Sequence, residues 1–417
     1  MAIDVASWPL RSARPGAARR RRWSSGLALA VAGTTLGLLL AVVPAPRDPG
    51  FPGRFDGARA AAATLRGDAV RSDFAADYVG ARALLDHRDP YPRLADAFRE
   101  VGLDWQVFAR STHPPTAEVL ALPLAGLSWQ AATTAWAWIM LLVLGLSAWA
   151  LGLRLPWASA AAVLSLVVWP PAAWSLGQLT PLWLLGAALA WRWRDRPLAA
   201  GAAVGLAAVT KLFPALLLVP FLLRRRWRAV TGCAAVAGLT LLPALLLYPG
   251  SVSAFVHAER AESRRQELRG DNGSLVMSAY KHSGWLAVAG AVLLVAAIGV
   301  LAARSRRGTA GDADLHARWL WLSVALIPLA WIYSLLPLAP VIARGLLSRR
   351  LPSAMAAGIA FALPVIGMPY GYRSAPYIAL TIAFAGLSVL LASRPTLVGA
   401  RPSTVTSQRA DAAGRVP

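Results

Sequence analysis

Apolar runs of around twenty residues recur along this chain. Each is long enough to cross a hydrocarbon core about 30 Å thick as an α-helix. No segment shows the residue-by-residue alternation of a membrane-spanning strand. With 57% hydrophobic residues, 15% charged residues and a mean hydropathy of +0.52, the composition lies far outside that of soluble domains. The chain reads as an all-α polytopic membrane protein.

The formal charge of +22 would point to nucleic acid in a soluble protein, but its distribution points to a bilayer. Residues 45–130 hold ten arginines against eleven acids, and residues 250–283 hold five basic side chains against four acids. These two loops are together neutral, so the excess sits in the tails and short connections, the pattern of basic segments kept in the cytoplasm. Nucleic-acid binding is thereby excluded. Cys233 is the lone cysteine, which rules out a disulfide framework or a CxxC site. The histidines His87, His113, His257, His282 and His316 have no helix-face pairing, so no metal site is expected, and no cofactor.

Residues 1–24 form a basic cytoplasmic N-terminus, and the run from about 25 to 44 is the expected first span. Spans are expected near 131–153, 156–174, 178–194, 228–248, 284–303, 352–368 and 375–392. Two further runs, 198–223 and 318–343, have basic residues at both ends and are too short for two crossings. Each is expected to fold as a pair of half-helices, the first bent near Lys211 to Pro214, the second near Trp331 to Ser334. This gives about eight full crossings, cytoplasmic termini, a tail over 393–417 and a body over 25–392. The extracytoplasmic loop 45–130 is too long to be a mere connector. Within it, Ala95 to Arg110 is expected to be a surface helix, and Val119 to Leu127 is too short to span. Residues 250–283 form the second outer loop.

The first outer loop concentrates carboxylates. Asp73 and Asp77 stand four residues apart and share a helix face; Asp73 is also placed to cap a helix start, and Asp77 to pair with Arg71 or Arg82. Asp89 before Pro90 suits a turn that holds Tyr91. Lys211, one of two lysines beside forty arginines, lies in an apolar run, where an ionisable group is a candidate functional residue or snorkels to the interface. Gln178 after Gly177, His113 before two prolines, and Asn272 with Ser274 each suit either substrate contact or local capping. The tryptophans, eighteen in all, suit interfacial anchors.

In order, Ser72-Asp73-Phe74, Asp77-Tyr78, Asp89-Pro90-Tyr91, His113-Pro114-Pro115, Pro123-Leu124, Gly177-Gln178, Lys211 with Pro214, and Asn272 with Ser274 resemble glycosyltransferase family 87. That resemblance implies a GT-C-like bundle that transfers a sugar, mannose in preference to arabinose, from a polyprenyl-phosphate donor. The acceptor would be a glycolipid or glycan at the outer face of the cell membrane. It implies Asp73 as the base with Asp77 as second candidate, and Lys211, His113, Gln178, Tyr333, Asn272 and Tyr91 as substrate-binding. Where family members often carry Trp-x-His, this chain has Trp331-Ile332-Tyr333, and a tyrosine donates a hydrogen bond but carries no positive charge. The rival class is a transporter or flippase, which would keep short loops and polar residues at mid-membrane.

Overall fold

The computed structural model describes residues 66, 72–102, 110–151, 177–267, 272–275, 300, 312–327, 330, 332–346, 351–367 and 375–392. The expected spans at 25–44 and 156–174 lie outside them, as do the tail 393–417 and, residue 300 apart, the span 284–303. Among the described residues the chain is all-helical, with no strand.

The segment before the first long apolar helix contributes α1 (Ser72–Leu85), α2 (Leu94–Glu100) and α3 (Pro115–Ala125). The body follows with α4 (Trp129–Ala150), α5 (Thr180–Arg192) and α6 (Pro197–Ala208). After a break come a 3-10 turn, Phe213–Leu218, and α7 (Val219–Leu223). The chain continues through α8 (Trp227–Leu247), α9 (Ser251–Glu267) and α10 (Asp312–Ala325). A second 3-10 segment, Ile332–Leu338, then leads to α11 (Ala339–Leu346), α12 (Leu351–Gly367) and α13 (Ala375–Ala392).

Both runs expected to bend contain a helix break, the second beginning ahead of the expected point near Trp331. The run 198–223 breaks after Ala208, with Lys211 in the gap, and the run 318–343 breaks after Ala325. Two other expectations need correction. The stretch 178–194 forms a helix of 13 residues, about 20 Å long at 1.5 Å per residue, too short to be a full crossing. The surface helix expected over Ala95 to Arg110 stops at Glu100, where Gly102 turns the chain at φ 78°. Its inner face is not superficial either, since Leu94, Ala97 and Phe98 are buried. Among the described residues, Trp129–Ser147 and Trp227–Leu247 are the helices long and apolar enough to cross a membrane. Leu239 and Leu246 on α8 are 71% and 72% exposed, as suits a face turned to lipid.

Two apolar cores organise the packing. One joins α1, α2 and α3 to α4 and the start of α5, around Phe74, Tyr78, Phe98 and Trp136. The other joins α5, α6, the second 3-10 segment and α10 to α13, around Trp183, Trp319 and Leu335. Helices α6 and α8 touch backbone to backbone: a Cβ on Gly201 would meet the Ala229 carbonyl oxygen at 1.8 Å, and one on Gly232 would meet that of Leu198 at 2.1 Å.

Breaking a helix frees backbone groups that a buried site must satisfy. At the first break the Thr116 hydroxyl donates to the Val209 carbonyl at 2.5 Å. At the second, the Asn272 amide oxygen accepts from the Ala330 N–H at 3.0 Å, the Gly273 N–H donates to the Ala330 carbonyl at 2.8 Å, and the Ser274 hydroxyl donates to the Ile327 carbonyl at 2.6 Å. Replacing Asn272 by Ala strands a buried N–H and is expected to cost about 1–3 kcal/mol. Denaturation of the detergent-solubilised protein measures it; an unchanged midpoint would contradict this role.

Candidate functional site

The site grows from the start of α1. Asp73 lies in its first turn, inside the helix rather than at a cap position, and is half-buried. Asp77, one turn on, is fully buried. Its partner is not Arg82, and Arg71 lies outside the described residues: the His113 Nδ1 lies 2.6 Å from Asp77 Oδ1, while Arg82 donates to the Tyr78 hydroxyl at 3.2 Å. His113 reaches Asp77 because Pro114 and Pro115 start α3 directly behind it, and proline at a first helical position is pre-set for that conformation.

Thr116 then ties the same end of α3 to Val209, two residues before Lys211. Lys211 is half-buried and stands within electrostatic range of Asp73, and both charges act on His113. For His113, burial works against the charged ring. The charge and hydrogen bond of Asp77 and the charge of Asp73 outweigh burial, while Lys211 opposes them, and its pKa ends above that of an ordinary histidine. Asp73, Asp77 and Lys211 thus all act electrostatically on His113 beside a helix break.

Gln178 is drawn to the same side. Gly177 takes φ 73°, and a Cβ there would lie 2.4 Å from that of Phe74, so the turn fits against α1 only without a side chain. Its carbonyl accepts from the Trp136 indole at 2.8 Å. Gln178 itself is buried, and its Oε1 has no hydrogen-bond partner among the described residues.

Other candidates make bonds within the scaffold. Tyr91 is fully buried. Its N–H donates to Asp89 Oδ1 at 2.9 Å, the turn expected at Asp89-Pro90, and its carbonyl accepts from Arg110. Its hydroxyl lies 3.0 Å from the His113 carbonyl and 3.1 Å from Glu118 Oε2. Asn272 is buried and its Oδ1 serves the backbone of Ser274 and Ala330. The backbone of Tyr333 belongs to the second 3-10 segment; its side chain, with Trp331, lies outside the described residues.

Glu118 was not singled out by the sequence. It is fully buried behind Asp77, and burial, then the Asp77 charge, raise its pKa well above the carboxylate range. The available signal was an acid within the apolar run that follows His113-Pro114-Pro115.

Fold and cluster together define a helical protein with apolar helices of membrane-crossing length, in which α1 and the start of α3 bring a polar cluster to a helix break. The family model for glycosyltransferase family 87 matches residues 112–332, more than half of the chain, and the chain belongs to that family, whose members are membrane proteins. It is a glycosyltransferase by that membership. The match takes in His113, Gln178, Lys211 and Asn272; Asp73 and Asp77 precede it and join through the His113 contact. No curated protein and no solved structure matches the chain.

His113 and Glu118 both hold their protons more tightly folded than unfolded, so stability falls as pH rises. Glu118 contributes fully below the ordinary glutamate value, about 4.3, and His113 below the ordinary histidine value, about 6.5; each contribution is lost as pH climbs to the raised folded value. Melting temperature is therefore expected to drop from mildly acidic to mildly alkaline buffer, with Glu118→Gln flattening the lower part of the slope and His113→Gln the upper part. A flat profile in the unmodified protein would contradict the assignment.

Proposed function

We propose that this protein is an inverting, polyprenyl-phosphate-sugar-dependent hexosyltransferase with mannose as its preferred sugar. It acts on a glycolipid or glycan acceptor at the extracytoplasmic face of the cell membrane. It would cross the membrane several times, with residues 1–24 and 393–417 in the cytoplasm. The observation that carries this is the electrostatic coupling of Asp73, half-buried at the start of α1, with Lys211 in the first helix break and with His113.

In the proposed reaction, an Asp73 carboxylate oxygen takes the proton of the acceptor hydroxyl as that oxygen attacks the anomeric carbon. The bond from that carbon to the phosphate oxygen breaks, and polyprenyl phosphate leaves as an anion that needs no proton. Lys211 and the His113 imidazolium supply positive charge where the phosphate gains negative charge. Asp77 holds His113 from behind and is the second candidate base. The Gln178 Oε1, without a hydrogen-bond partner among the described residues, accepts from a sugar hydroxyl, and Tyr333 takes the place of the family's histidine as a neutral donor.

Asp73→Asn keeps the shape and removes the base. Purified protein in lipid, given labelled polyprenyl-phosphate sugars and a membrane extract, is expected to lose transfer by about 10²–10⁴-fold with its melting temperature retained. Transfer at the original rate would refute the assigned base.

A further inference from the structure

Glu118 takes no part in the chemistry proposed above, yet it is within electrostatic reach of the residue that holds His113. Glu118 and Asp77 are both fully buried. They sit on facing helices: a Cβ on Gly80, one turn along α1 from Asp77, would come within 2.6 Å of Glu118 Cγ. Glu118 Oε2 is 3.1 Å from the Tyr91 hydroxyl, and Asp77 Oδ1 is held by His113. The remaining oxygen of each, Glu118 Oε1 and Asp77 Oδ2, has no hydrogen-bond partner among the described residues.

Two neighbouring carboxylates cannot both stay ionised in a site closed to water, because like charges and desolvation act against them together. A single proton resolves this, since a protonated carboxyl is both donor and acceptor. We infer that Glu118 is a neutral carboxylic acid donating its hydrogen bond to Asp77 Oδ2, a positioning residue that leaves the one Asp77 charge to hold His113 as an imidazolium. The bonds then run in one direction, from the Tyr91 hydroxyl to Glu118 Oε2, from Glu118 Oε1 to Asp77 Oδ2, and from His113 Nδ1 to Asp77 Oδ1. The ionisable groups acting on Glu118 are Asp77 from α1 and Tyr91 from the turn before α2: burial and the Asp77 charge favour the neutral form and outweigh the Tyr91 hydrogen bond, which favours the ionised one.

The role of His113 toward a donor phosphate rests on the transferase proposal; the protonation of Glu118 does not. The test therefore has two arms. In infrared spectra of the full chain in lipid at neutral pH, the carbonyl band of a buried carboxylic acid is expected and should vanish in Glu118→Gln. Absence of that band, or its survival in Glu118→Gln, overturns the inference. In the transfer assay Glu118→Gln, which keeps a donor, should stay within about fivefold of the original rate, while Glu118→Leu, which keeps the size alone, should lose about ten- to a hundredfold. Equal loss in both variants, with both still melting cooperatively, overturns the positioning role. If the unmodified protein transfers no sugar from any donor, the transferase proposal fails and the infrared arm still decides the state of Glu118.

Discussion

The fold depends on satisfying backbone groups at two places where apolar helices stop short. Inside a bilayer or a packed core no water is at hand for a freed carbonyl or N–H, so protein must supply the partner. At the break after α6 it is the Thr116 hydroxyl, and at the break after α10 it is the segment from Asn272 to Ser274. Both come from segments outside the broken runs. These segments are therefore parts of the helical body, and the breaks persist because the segments are docked.

That docking also builds the site. Thr116 is three residues beyond His113, so the bond that closes the first break sets His113 against Asp77 and brings α1 to the side of Lys211. The apolar contacts act in the same sense: Phe74, between Asp73 and Asp77, stacks on Trp136 with ring centroids 4.8 Å apart and packs against Gly177. One face of α1 is thus pinned by aromatic burial while its acids are left to the cluster. Burying Asp77 alone would be expensive; the His113 ring offsets that cost with a short charge-assisted bond.

Much of this was legible in the sequence. Basic residues at both ends of runs too short for two crossings betrayed the bends, and a lysine in an apolar run marked the first of them. The order of short motifs gave the family. What stayed hidden depended on contacts remote in the chain: Asp77 and His113 are 36 residues apart, and local charge pattern favoured an arginine partner. Glu118 was masked because an acid in a short apolar helix looks like a polar interruption until its neighbours are known. Asn272 looked like a helix cap, and its Oδ1 does bond the Ser274 N–H, but only the fold brings Ala330 to the same oxygen. Hydropathy also overstated 178–194, since an apolar run gives the length of burial, not the length of helix.

The joint placement of Asp73, His113 and Lys211 around one lipid-borne phosphosugar is tested most directly by an experimental map of the protein in a lipid nanodisc with a non-hydrolysable donor analogue. The expected result is a phosphate held between Lys211 and His113, with the anomeric carbon turned toward Asp73. A phosphate bound elsewhere, or an anomeric carbon on the side of the sugar away from Asp73, would contradict it.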